Sequence, residues 1–105
     1  MGQNDRRLEL HEIFCEVLGS RNVYFQPPNG AKLNYPCIIY KRDSANAKYA
    51  DDRTYIFTQQ YSVTCISPKQ TNDIYEKLIE RLPMIRYIRG YTVDNLSHDI
   101  LNLFY

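Results

Sequence analysis

The chain has no tryptophan and only four glycines among its 105 residues. The scarcity of glycine argues against the glycine-rich motifs of nucleotide-binding proteins and hydrolases. The glycines, at positions 2, 19, 30 and 90, form no phosphate-binding loop and no G-x-G-x-x-G or G-x-S-x-G motif. No apolar run approaches the roughly 18 residues that span a membrane, and the first ten residues lack the apolar core of a signal peptide. The sequence therefore predicts a protein without catalytic activity that is made in the cytoplasm and is not inserted into a membrane.

Cysteine is scarce as well, with three residues and no C-x-x-C pair. This number and spacing predict neither a zinc site nor a disulfide framework. His11 and Cys15 are one helical turn apart and could supply two metal ligands, but no third ligand is close in sequence. We therefore expect no metal and no cofactor, and we expect the cysteines to be buried as small apolar side chains.

An enzymatic alternative would have to use Cys15, Cys37, Cys65 or His98 as nucleophile or base. His98 and Asp99 are adjacent on a predicted strand, where successive side chains point to opposite faces. The two side chains cannot form a dyad with each other, so we expect them to hold the nearby turn and the pairing of its strands.

Neither sign of charge is in excess, because 13 basic and 12 acidic side chains are interspersed to a net charge of +1. A dedicated nucleic-acid binder usually carries a basic stripe, and the sequence has none. One short segment does interleave cations and aromatic rings as single-strand binders do, and its members are Arg86, Tyr87, Arg89 and Tyr91. This segment is a secondary candidate interface, and it supports an alternative hypothesis of a small cytoplasmic protein that binds single-stranded nucleic acid.

The sequence is rich in periodic apolar patterns that predict two helices. The first pattern has helical spacing and comprises Leu10, Ile13, Phe14, Val17 and Leu18. Asn4 or Asp5 can cap the start of this helix, and Gly19 can end it. The second helix follows Asp73, which has capping-box spacing to Glu76, and it ends before Pro83.

Five strands are predicted around these helices. N-V-Y-F-Q (22–26) and C-I-I-Y-K (37–41) are the first two, and the third lies within residues 55–66, where Tyr61, Val63 and Cys65 share one face. Residues 84–105 predict two more strands around V-D-N-L-S. The order α-β-β-β-α-β-β predicts a single α+β domain over residues 1–105, with a mostly antiparallel sheet of about five strands and both helices on one face.

The connection between the second and third strands, K-R-D-S-A-N-A-K-Y-A-D-D-R-T-Y (41–55), is unusually long. Hairpin loops commonly need two to five residues, and this one takes about a dozen. Its four basic and three acidic side chains alternate with small residues. This composition predicts a flexible loop that offers groups to partners and few to a core.

Several segments, read together, resemble a known family. They are L-H-E-I-F-C-E-V-L-G-S, N-V-Y-F-Q-P-P-N-G-A-K-L-N-Y-P-C-I-I-Y, Y-S-V-T-C-I and V-D-N-L-S-H-D-I-L-N-L-F-Y. With the element order, they resemble the small tail-module proteins of long-tailed bacteriophages and prophages of Gram-positive bacteria, known as tail terminator, tail completion or tail-to-head joining proteins. The resemblance runs from Leu8 to Tyr105.

This resemblance implies that the chain is a structural protein of the virion tail or neck, and that the virion is assembled in the cytoplasm of the host bacterium. Such subunits form a hexameric ring that caps the head-proximal end of the tail tube and joins it to the head. The implied partners are further copies of the chain, the tail tube protein, a head-completion or neck protein and, transiently, DNA in the channel. The family's loop between strands 2 and 3 is flexible in the free subunit and becomes ordered in the assembly, which implies contact roles here for Lys41, Arg42, Asp43, Lys48, Tyr49, Asp51, Asp52 and Arg53.

Overall fold

The computed structural model describes residues 3–43, 59–68 and 73–105, with the backbone alone for residues 3 to 5. Two helices and five strands follow each other in the predicted order, which confirms the α+β fold class. The elements are α1 (Gln3–Leu18), β1 (Val23–Phe25), β2 (Cys37–Arg42), β3 (Gln60–Ser67), α2 (Ile74–Arg81), β4 (Ile85–Val93) and β5 (Leu96–Phe104).

The five strands form one sheet in the order β1-β2-β3-β5-β4. β1 pairs with β2 in parallel, and the other three pairs are antiparallel, so the predicted mostly antiparallel sheet is confirmed. β1 and β4 are the two edges of this sheet. The long strand β5 lies between β3 and β4, so residues 97–103 are paired on both sides.

Helix α1 has the apolar stripe that its spacing predicts. Leu10 and Phe14 have no exposed surface, and Ile13 and Val17 pack beside them at partial burial. The helix ends at Gly19, whose φ of +83° is a left-handed conformation and whose N–H donates to the Cys15 carbonyl at 2.9 Å. Its start, at Gln3, lies before both of the predicted caps.

Helix α2 begins and ends for different reasons from those of α1. Asp73 precedes it but makes no capping hydrogen bond through its side chain, so the predicted capping box is wrong. The Asp73 carboxylate instead lies 3.9 Å from the Lys77 ammonium. At the other end Leu82 is extended, as the residue before Pro83 prefers to be.

The core lies between both helices and one face of the sheet, which we call the helix face. Alternate residues of each strand point to it, because side chains alternate along a strand. Both helices contribute to the same cluster, which places them on one face as predicted. Its buried members are Leu10, Phe14, Cys15, Val23, Ile38, Tyr40, Tyr61, Val63, Cys65, Ile74, Leu78, Leu82, Leu101 and Leu103. We call the opposite face the open face.

Strands β4 and β5 form a hairpin with two local irregularities. The turn residues Asp94 and Asn95 have φ values of +53° and +62°, as in the two-residue turn whose twist matches a β-hairpin. Tyr87 and Arg89 face consecutive residues of β5, at positions 101 and 100, so Ile88 is an extra residue and forms a β-bulge.

Candidate functional site

The predicted assembly segment begins inside the sheet and not in a loop. β2 continues through Arg42, and Lys41 and Arg42 pair with residues 62 and 61 of β3. The N–H of Asp43 then donates to the Gln60 carbonyl at 2.9 Å. Arg42 is therefore a strand residue, contrary to the prediction that placed it in the loop.

Arg42 is held against β1. Its backbone N–H donates to the Gln26 side-chain oxygen at 3.2 Å, and its guanidinium lies 5.3 Å from the centre of the Phe25 ring. Lys41, the residue before Arg42 in the strand, is exposed. Five other predicted contact residues lie outside the described residues: Lys48, Tyr49, Asp51, Asp52 and Arg53. The predicted flexibility and positions 55–58 of the predicted third strand also lie outside them.

His11 lies within hydrogen-bonding distance of the buried Tyr40. Its Nδ1 lies 2.8 Å from the hydroxyl of Tyr40, to which Arg7 donates a hydrogen bond at 3.3 Å. A neutral imidazole that carries its proton on Nε2 accepts a hydrogen bond at Nδ1 from the Tyr40 hydroxyl, whose oxygen accepts from Arg7. Burial, followed by the charges of Arg7 and Arg21, lowers the pKa of His11 and favours this neutral form. In the parts of the chain that are described, no three histidine, cysteine or acidic side chains are grouped to hold a metal ion.

The three cysteines are buried and form no disulfide, as expected. Burial raises the pKa of the Cys37 thiol to about 11 and raises the pKa values of Cys15 and Cys65 as well. A thiol must ionise to act as a nucleophile, so these three are poorly suited to catalysis. They serve as small apolar side chains on both sides of the sheet.

Strand β4 is the most exposed element of the sheet. Eight of its nine residues are exposed, all except Ile85, and among the described strands it pairs with β5 alone. Its outer backbone groups therefore form an open edge, the kind of site at which sheets assemble. Five of the eight large exposed apolar side chains in the described residues lie on or next to it: Met84, Tyr87, Ile88, Tyr91 and Val93.

The bulge at Ile88 rearranges the predicted secondary interface. Arg86, Arg89 and Tyr91 face alternate residues of β5, at positions 102, 100 and 98, so all three lie on the open face. Without the extra residue, side chains three apart would point to opposite faces. Tyr87 faces position 101 and lies on the helix face, so the structure separates it from the other three.

Two of the three open-face residues, Arg89 and Tyr91, lie close to each other, and Tyr91 contacts β5. The Arg89 guanidinium lies 5.5 Å from the centre of the Tyr91 ring. That ring stacks on His98 with a centroid distance of 4.8 Å and an angle of 7°. His98 Nδ1 also lies 3.1 Å from the Leu96 carbonyl, so this histidine holds the hairpin, in agreement with the sequence-based expectation.

On the helix face, the Tyr87 side chain contacts both β5 and α2. Its hydroxyl donates to Asp99 Oδ1 at 2.9 Å, and its ring lies 4.8 Å from that of Tyr75 on α2. An open cleft of about 360 Å³ runs along this end of the hairpin. No sequence signal identified the contact between Tyr87 and Asp99, because it depends on the bulge.

Comparison with known proteins does not extend these assignments. Within the described residues, no helix is both long and apolar enough to cross a membrane. No protein-family model, no curated protein and no solved structure matches the chain.

Proposed function

We propose that the chain is a non-catalytic assembly subunit of a bacteriophage virion. In this role it forms a ring, caps the tail tube at its head-proximal end and joins the tail to the head. The sequence resemblance between Leu8 and Tyr105 is the starting point, and this range holds most of α1, all of α2 and all five strands.

One structural observation carries the proposal: the sheet ends in two unlike edges. β1 is a parallel edge of three residues, whereas β4 is an antiparallel edge of nine. A closed ring of identical subunits needs two different surfaces on each subunit, so that one surface meets the other on the next copy. Two unlike edges at opposite ends of one sheet meet this requirement.

The balance of charge is also compatible with a conduit for DNA. Binding to phosphates grows with the number of cations that neutralise them, and a net charge of +1 favours brief contact over tight binding. Lys41 is exposed near the end of β2, where the chain enters the connection to which the family resemblance assigns contact roles.

The proposal is tested by assembly of the purified chain with and without tail tubes. We expect rings in electron micrographs, and tubes that stop growing once the chain is added. Ile88→Lys places a charge on the β4 edge and should impair ring formation, whereas Ile79→Lys, an exposed site on α2, should not. Tubes that elongate freely past the chain would contradict the proposal.

Binding of single-stranded nucleic acid is the second candidate, because the bulge gathers Arg86, Arg89 and Tyr91 on one face. Cations beside an exposed ring can hold a phosphate while a base stacks. We would then expect oligonucleotide binding that weakens as salt rises and weakens further in Arg89→Gln, but not in the control Lys32→Gln on the β1–β2 connection. The absence of salt-dependent binding would exclude this function.

A further inference from the structure

We propose that β4 also pairs with itself, so that two copies of the isolated chain join through antiparallel β4 strands around a two-fold axis at Gly90. The pairing would produce one continuous sheet of ten strands. This inference concerns the isolated chain and does not rest on a role in phage tails. The family resemblance is also compatible with a chain that is a monomer in isolation, and the proposed dimer differs from that expectation.

The length and sequence of β4 suit strand addition. The strand offers nine residues, eight of them exposed, and contains no proline, so every residue keeps its N–H. It also contains no lysine, a residue that commonly protects sheet edges. Its protective features are two arginines and the bulge at Ile88, and the bulge leaves residues 89 to 93 in regular register with β5.

The charge pattern selects the direction of pairing. Arg86 and Arg89 lie in the first part of the strand, and Asp94 follows its last residue. Parallel pairing would set the arginines of both copies side by side, which is unfavourable. Antiparallel pairing brings the arginine-bearing part of one copy to the end that carries Asp94 in the other.

The same charges select the register. Complete overlap of the two strands would centre the axis on Arg89 and set this guanidinium against its own copy. A shift of one residue centres the axis on Gly90 and sets residues 89 to 91 of the two copies opposite each other in regular register. Residues 92 and 93 of each copy then face the bulge at residues 88 and 87 of the other. Arg89 of each copy then faces Tyr91 of the other on the open face, a cation beside an aromatic ring on both sides of the axis.

A two-fold contact of this kind closes on itself and yields a dimer. It occupies the longer of the two sheet edges, whereas β1 offers only three residues for pairing. The dimer contact and a ring contact through β4 use the same strand edge, so a subunit cannot make both at once.

The test measures self-association by sedimentation over a range of protein concentrations, with folding checked by circular dichroism. We expect a monomer–dimer equilibrium in the native chain. Tyr91→Arg sets two pairs of like charges opposite each other and should raise the dimer dissociation constant on the order of tenfold. The double variant Arg89→Tyr, Tyr91→Arg exchanges the partners and should restore association, and Met84→Arg, outside the overlap, should leave it unchanged.

A measurement without substitutions keeps the test independent of folding defects. Amide hydrogen exchange of residues 89 to 93 should slow as protein concentration rises, because pairing protects the outward N–H groups. A chain that stays monomeric overturns the inference. So does a dimer that Tyr91→Arg leaves intact, or one that the exchanged double variant fails to restore while it is folded.

Discussion

The hydroxyl of Tyr87 donates a hydrogen bond of 2.9 Å to Asp99 Oδ1 directly above Gly90. The bond joins the edge strand β4 to β5 on the helix face, where the Tyr87 ring also packs against Tyr75. A Cβ at Gly90 would collide with the Tyr87 hydroxyl and lie 2.8 Å from Asp99 Oδ1. An aromatic side chain thus covers a glycine on an edge strand, an arrangement that stabilises sheet edges.

The first prediction concerns this glycine. Gly90→Ala should lower the free energy of unfolding by about 0.5–1.5 kcal/mol, because the added methyl group displaces the exposed Tyr87 side chain from its hydrogen bond with Asp99. Chemical denaturation of the two proteins measures the difference.

Tyr87→Phe supplies the control for this prediction, because it removes the hydroxyl that the methyl group would meet. Gly90→Ala should therefore cost less in the Tyr87→Phe background than in the native chain. Equal costs in the two backgrounds would show that the Tyr87 hydroxyl does not set the requirement for glycine.

The second prediction concerns the turn between β4 and β5. Asn95 has a φ of +62°, which a β-branched side chain adopts only with strain. Asn95→Val should lower the free energy of unfolding by about 1–2 kcal/mol, whereas Asn95→Gly should change it by less than about 0.5 kcal/mol. Thermal or chemical denaturation measures the change in unfolding free energy for each variant. Equal effects of the two substitutions would exclude this turn conformation.

The third prediction concerns the pH dependence of stability. Burial lowers the pKa of His11 below its ordinary value of 6.5, so the unfolded chain takes up a proton at higher pH than the folded chain does. The His11 contribution is fully present above pH 6.5 and is lost as the pH falls through the folded pKa. Unfolding free energies measured at steps below neutral pH should decline accordingly.

His11→Asn tests the assignment of this decline, because asparagine offers an oxygen to the Tyr40 hydroxyl but does not titrate. The variant should show a weaker pH dependence than the native chain between neutral pH and the range in which carboxylates titrate. An unchanged profile would assign the decline to other groups.

The fourth prediction concerns the connection between β2 and β3. β2 ends at Arg42 and β3 begins at Gln60, so 17 residues, 43 to 59, join them. Deletion of residues 44 to 50 removes seven of these and leaves ten, a shortening with little effect on closure entropy. The Asp43–Gln60 hydrogen bond already holds the two ends together, so the chain should still fold, but ring assembly or head joining should be impaired.

A variant with residues 44 to 50 replaced by glycine and serine keeps the length and removes the side chains. If the side chains make the contacts, this variant should fail in assembly as the deletion does. Normal assembly by the deletion variant would show that this part of the connection is dispensable.

The elements of the fold were predictable because their signals are local. Leu10 and Phe14 mark the buried face of α1 by spacing alone, and Tyr61 and Val63 mark the helix face of β3 in the same way. The parallel pairing of β1 was not predictable, because three residues carry too little pattern to specify a partner.

The candidate sites were less predictable than the fold, because they depend on contacts between distant residues. His11 meets Tyr40 across 29 residues, and nothing in the sequence around His11 indicates this partner. The bulge at Ile88 depends on how β4 and β5 share hydrogen bonds, and it alone brings Arg86 and Arg89 to one face.

Electron microscopy of phage particles assembled without this chain tests the central claim most directly. A subunit that caps the tail tube and joins it to the head should leave overlong or headless tails when it is absent, and the native chain supplied separately should restore normal particles. Normal virions in its absence would contradict the account.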